Sequence, residues 1–255
     1  MKSAILFPLI LTLSTSCFAD SKLAKSEFTE SAFDIKNNDS ENSWDMAAEV
    51  GATLTSGNTE TQSFKGKLEG GLDYLGGRLS YLAQFYQKSV EQEKNADKWK
   101  VGLKHNLHLG EHSSTFSIFE YARDKFASAT QTVTFAAGYT QRILDNEAML
   151  WNADIGPGVV RTTMEAGEEN RKIIHLGSQF KFKLNETTEF EQSVVADLNL
   201  DGNDYDVYRS ETSLSASVVE NLKMKLAYAA KFDADVEIGK EKLDTETSVS
   251  LVYIF

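Results

Sequence analysis

From Trp44 to the final residue, apolar side chains occupy every second position in successive runs of about 10–13 residues. The first run places Trp44, Met46, Ala48, Val50, Ala52 and Leu54 on one parity, with Asp45, Glu49 and Thr53 on the other. A later one sets Trp99, Val101, Leu103, Leu107 and Leu109 against Lys98, Lys100, Lys104 and His108. A period of two means strands with one apolar and one polar face, and helical spacing fits none of the runs. The pattern predicts about twelve strands: 44–55, 61–74, 78–90, 97–109, 113–124, 131–143, 148–160, 172–184, 188–200, 206–219, 222–233 and 244–255. The fifth is irregular, because Phe116 and Ile118 share one parity while Phe119 and Tyr121 share the other. A bulge or a mixed surface accounts for that.

Short turns such as Leu75-Gly76-Gly77 and Glu220-Asn221 alternate with longer acidic connections at 91–96, 161–171, 201–205 and 234–243. An even number of antiparallel strands joined in long–short order is the layout of an outer-membrane barrel. Strand length agrees, since a tilted strand crosses a bilayer in roughly 9–11 residues. A soluble lipocalin-like barrel also alternates, but it turns its apolar face inward and uses shorter strands. Here the polar face carries bulky charge on nearly every strand, and aromatics gather near strand ends. The expected fold is all-β: a transmembrane, up-and-down antiparallel barrel over residues 44–255.

The amino end has a different character. Lys2, the apolar run Ala4 to Leu13 and a small residue, Ala19, before Asp20 make a secretory signal peptide over residues 1–19. Its cleavage removes Cys17, the only cysteine. The competing assignment, a lipidated Cys17, lacks the expected Leu at position 14, where Ser14 stands. Residues 20–43 are polar and charged and predict a flexible periplasmic lead-in, with Phe28 and Phe33 its candidate docking points. The net charge of −12 argues against nucleic acid as a partner.

Several short motifs together resemble the YdiY-type salt-induced outer-membrane protein family. These are Gly57-Asn58-Thr59 closing the first hairpin, Arg123-Asp124-Lys125-Phe126, Gly138-Tyr139 and Gly156-Pro157-Gly158. Arg209-Ser210-Glu211-Thr212 and Asp244-Thr245-Glu246-Thr247 follow, with Leu251-Val252-Tyr253-Ile254-Phe255 at the end. The resemblance covers residues 44–255. It implies the outer membrane and a barrel fold, and it brings no catalytic residue.

By parity the barrel interior is lined by Lys65, Lys67, Glu69, Lys98, Lys100, Lys104, Arg142, Asp154, His175, Lys181, Glu191, Arg209, Glu211, Lys223 and Lys225. Arg123, Glu49, Asp73, Asp197 and Glu246 belong to the same face, and Gly51, Gly71, Gly102 and Gly177 should leave gaps in it. Such a lining predicts a narrow passive path for ions and small polar solutes with no cofactor, and the family resemblance implies a stress-related envelope protein. A surface hydrolase working through His175, and a scaffold for a periplasmic or surface partner, are the alternatives.

His105, His108 and His112 have zinc-like spacing, but on a strand the first two point to opposite faces, so no metal centre is expected. Asp201 to Asp206 is rich in oxygen ligands yet lacks the pattern of a calcium loop, and it is expected to be a solvated acidic loop. The expected partners are outer-membrane lipid and lipopolysaccharide. The terminal Tyr253 and Phe255 resemble the signal recognised by the barrel-assembly machinery.

Overall fold

Outward apolar positions and inward polar ones, repeated twelve times, close into a single cylinder. The computed structural model describes residues 43–55, 61–90, 93–127, 129–165, 167–202, 206–234 and 242–255. The expected signal peptide, the lead-in before Ser43 and residues 203–205 of the acidic loop lie outside them. The strands are β1 (Trp44–Thr55), β2 (Thr61–Tyr74), β3 (Gly77–Val90), β4 (Glu93–Gly110), β5 (Ser113–Asp124) and β6 (Ala129–Asp145). They continue with β7 (Met149–Met164), β8 (Gly167–Lys183), β9 (Thr188–Asn199), β10 (Val207–Val219), β11 (Leu222–Asp233) and β12 (Leu243–Ile254). Each strand pairs antiparallel with its sequence neighbours, and β12 closes on β1. Both ends of the described chain meet at one rim, where the Phe255 amide donates to the Met46 carbonyl.

Trp99, Leu103, Phe119, Phe135, Ile155, Val194, Leu226 and Val249 all face outward and are exposed. An apolar surface of this extent is far larger than the patches a soluble monomer shows, and it suits hydrocarbon. Inward positions instead hold lysine, arginine, carboxylates, serines and amides, most of them buried.

Four strands outrun the hydrophobic pattern. β4 begins at Glu93, β6 at Ala129 and β8 at Gly167, while β7 continues to Met164. The expected 161–171 connection is therefore mostly ladder, with Arg161 opposite Asn170 and Thr163 opposite Glu168. Backbone pairing continues where the lipid-facing alternation has ended, because polar residues on both faces suit water.

β5 carries no central bulge: its pairing with β6 runs unbroken from Ser113–Gln141 to Arg123–Gln131. Its surface is mixed. Phe116 and Ile118 point inward and pack with Leu82 and Ala136 as an apolar plug in an otherwise polar interior.

Gly138 of β6 and Gly156 of β7 leave no room for a side chain between their strands. A Cβ on Gly138 would overlap the Ile155 carbonyl oxygen, and one on Gly156 would overlap that of Ala137. The ladder skips two pairs here and resumes without a shift, from Ala136–Gly158 to Tyr139–Ile155. Pro157, which has no N–H to donate, occupies the skipped stretch.

Candidate lumenal site

All fifteen inward positions expected from parity lie on the interior face. They do not stand as separate rings. They tie the wall together in four groups.

Nearest the rim where the chain ends meet, Arg78 of β3 reaches across β2 to Asp45 of β1 at 2.6 Å and also holds Asp73 at 2.7 Å. Arg78 is 1% exposed. Its guanidinium lies over Gly71, so this glycine makes room for an arginine and leaves no gap. At the same rim Arg142 turns toward Asp145 (2.9 Å).

A second group spans β1, β2, β10, β11 and β12. Glu49 accepts from Ser250 (2.7 Å) and lies 3.4 Å from Lys65 and 3.6 Å from Lys225. Lys225 also donates to Glu211 at 2.7 Å, and Lys67 pairs with Glu69 at 2.6 Å.

The third group crosses the interior. Lys104 of β4 donates to Asp154 of β7 at 2.6 Å, and the Thr140 hydroxyl donates to the other oxygen of Asp154 at 2.5 Å. Lys104 Nζ lies 5.5 Å from the centre of the Phe116 ring, which in turn is 5.9 Å from the His175 ring. Asp154 fills the space beside Gly177. His175 Nδ1 is hydrogen-bonded to Asp197 at 2.8 Å, and Asp197 also accepts from Arg209. Beside this group Lys181 lies 4.0 Å from Glu191, which accepts from Gln179 at 2.8 Å.

The fourth group lies toward the opposite rim. Lys100 pairs with Glu120 and Lys98 with Asp124, each at 3.0 Å. Lys223 stands apart from this group: it is near the rim of the chain ends, with Ser217 and Val252 beside it across the two ladders and the β10–β11 turn two residues away, where the Asn221 carbonyl accepts from the Ile254 amide.

Arg123 is the exception to the parity assignment. It lies opposite outward-facing Trp99 and is exposed, because β5 sends Glu120, Ala122 and Asp124 inward. His105 faces outward, where it is hydrogen-bonded to the Tyr74 hydroxyl, while His108 and His112 are exposed at the rim. Among the described residues no cluster of His, Cys, Asp or Glu could hold a metal ion.

Parity in β3 places Arg78, Ser80, Gln84 and Lys88 inward, a signal available in the sequence once polar residues are counted alongside acids and bases. The uncharged members matter most chemically. Asn152 is 2% exposed and neither atom of its amide meets a protein partner, nor do Asn106 Oδ1 and Gln84 Oε1. Asn106 itself donates to Thr140 (3.4 Å), which places it beside the Lys104–Asp154 crossing. Buried amide atoms in this situation are completed by water.

A closed twelve-stranded antiparallel cylinder with an apolar exterior and a charged interior is the fold of the porin-like outer-membrane barrels. Residues 48–255 match the family described as "Protein of unknown function, DUF481", and the chain belongs to that family. No curated protein sequence matches it. Among solved structures, the NanC porin superposes with a TM-score of 0.52 at 8% identity, covering 84% of this chain and 100% of that one. The translocator domain of the autotransporter NalP from Neisseria meningitidis gives 0.47 at 10% identity, covering 86% and 90%. An anion-selective porin from Comamonas acidovorans gives 0.41 at 8%, covering 84% and 100%.

Proposed function

We propose that this protein is a narrow passive channel of the bacterial outer membrane, passing water, ions and small polar solutes. It is exported by the signal at residues 1–19 and assembled through Tyr253 and Phe255. On this reading it contacts lipid and lipopolysaccharide and serves in the envelope as a YdiY-type, salt-responsive barrel. The observation that carries the proposal is the unpartnered amide of buried Asn152, beside Asn106 and the Lys104–Asp154 crossing. These groups call for water in an interior that is otherwise packed with paired charge.

Barrels of about eight strands fill with side chains, and 16–18 strands leave an open channel. A twelve-stranded wall whose lysines are nearly all tied to carboxylates should conduct weakly. Both signs line it, so selectivity should be slight. The test is single-channel recording of the purified barrel in a planar bilayer. Wild type should show small steps, and Asn152→Leu should abolish them while leaving the β-sheet circular dichroism unchanged. Lys98→Gln with Lys100→Gln leaves Asp124 and Glu120 uncompensated and should move the reversal potential toward cations. A folded wild type that is electrically silent overturns the reading.

A further inference from the structure

The outward side of the wall is apolar over most of its extent, and charge returns to it in one sector. Arg123 of β5, Arg161 of β7 and Lys172 of β8 face outward, as their ladder partners Trp99, Val133 and Val159 show. All three are exposed and lie in the half of the wall away from the chain ends. Lys94 and Lys125 join them, both holding Asp97, at 3.0 and 3.1 Å. Among the described residues, the outward strand positions of β9 to β12 and of β1 to β3 carry no lysine or arginine. The chain as a whole carries −12, so this sector reverses the overall sign.

Its depth is fixed by the rings beneath it. Trp99 and Tyr121 pack with centroids 4.9 Å apart, and the Tyr121 hydroxyl donates to Gln131, the ladder partner of Arg123. Phe119 and Phe135, opposite each other one step nearer the chain ends, are exposed, as is Leu103. Such rings mark the height at which hydrocarbon gives way to head groups, so bases just above them stand level with lipid phosphates.

These bases are not consumed by their neighbours. Arg123 has no ion pair among the described residues. Asp97 is one carboxylate between two lysines. Arg161 is paired with Glu168, but the two side chains are 55% and 51% exposed, and exposed pairs are weak enough for a phosphate to displace the carboxylate.

We propose that the outer ends of β4 to β8 bind the phosphorylated sugar head of the outer-leaflet glycolipid, lipopolysaccharide. One phosphate meets Arg123 and Lys125, a second meets Arg161, and the acyl chains lie on Leu103, Phe119 and Phe135. Arg123 and Arg161 stand two strands apart, about 10 Å, a separation that suits a bis-phosphorylated disaccharide better than a single phosphodiester. The planar fork of arginine grips two phosphate oxygens at once. This assignment deepens the lipid contact proposed above and rests on outer-membrane placement with the chain-end rim toward the periplasm; it does not involve conduction.

The probe is bis-phosphoryl lipid A, titrated into the purified barrel in detergent and counted by native mass spectrometry. Arg123→Glu with Lys125→Glu should weaken binding by about tenfold or more. Lys242→Glu, an exposed base at the same rim on the far side of the cylinder, should leave it unchanged. Removing both phosphates from the lipid should erase the difference between wild type and the double variant. Equal binding of the intact lipid by these two overturns the site. Phosphatidylglycerol that competes as well as lipid A overturns the two-phosphate head group. Sheet circular dichroism checks folding, and if the double variant fails it, Arg123→Gln alone should weaken binding about fivefold.

Placement has its own readout. Glu165→Cys, exposed in the turn between β7 and β8, should react with a membrane-impermeant maleimide on intact cells in a Cys17→Ser background. No reaction overturns the placement and the glycolipid site with it. Normal labelling together with equal lipid A binding overturns the glycolipid site alone.

Discussion

Arg78 shows how much a single residue decides here. It is buried against Gly71 and holds two carboxylates, Asp45 and Asp73. Removing one partner of a buried pair typically costs about 3–5 kcal/mol, because the charge left behind is uncompensated. Arg78→Ala should lower the unfolding free energy by about that amount in a urea titration followed by tryptophan fluorescence. Arg78→Met combined with Asp73→Asn should recover a large part of the loss. Glycines of inward parity look like gaps in a one-dimensional string, yet Gly71 and Gly177 are spaces that Arg78 and Asp154 fill. Which side chain enters a space depends on registers between strands, and these are not written in any one strand. Lysine and carboxylate positions were legible because charge cannot face lipid. Arg123 was misassigned because near the rim it can. The amides Asn106 and Asn152 escaped notice because their role arises from the partners they lack.

At the scale of the strand, the alternation is a statement about hydrocarbon, and it fades where hydrocarbon ends. β7 and β8 therefore extended beyond their expected limits, while β11 ran over 222–233 as expected. Depth within the wall can be tested directly. Leu103 lies near the middle of the lipid-facing side of β4, four residues from the Trp99 girdle. Leu103→Arg should cost about 2–4 kcal/mol, whereas a charge at the rim should cost about 0–1. The measurement is reversible unfolding into denaturant from lipid vesicles. The β6–β7 pinch makes a second demand. Gly138→Val places a side chain on the Ile155 carbonyl, so the strands must separate, at a cost of about 3 kcal/mol or more. Gly76, positive in φ but with open space around it, should tolerate Asn with little loss of stability in the same titration.

For the whole molecule, the ion pairs are mostly interior, and interior pairs are screened by salt far less than surface ones. Raising the ionic strength from about 0.1 M to about 1 M, where the screening length falls from roughly 10 Å to roughly 3 Å, should hardly move the unfolding midpoint. A large downward shift would mean that water and ions already move freely among Lys67, Lys100, Lys104 and Lys225. The even strand number, antiparallel order and closure were all legible in the sequence. The extent of the seam, where β1 and β12 pair from Ala47–Ile254 to Gly51–Ser250 among the described residues, was not, because closure joins residues some two hundred positions apart and no local pattern measures how far that joining extends.

The seam also governs how the cylinder behaves as a mechanical object. Every other junction between strands is reinforced by a covalent hairpin at one end, whereas among the described residues β1 and β12 are held by a ladder from Ala47–Ile254 to Gly51–Ser250 and by contacts such as Ser250 to Glu49 behind it. A pull applied at Phe255 meets no turn that must be dragged along. β12 would peel from β1 over a few residues, and then the hairpins would unravel one after another in reverse chain order. The rupture trace should be a sawtooth that begins at low force, with its first large peak at the β11–β12 ladder.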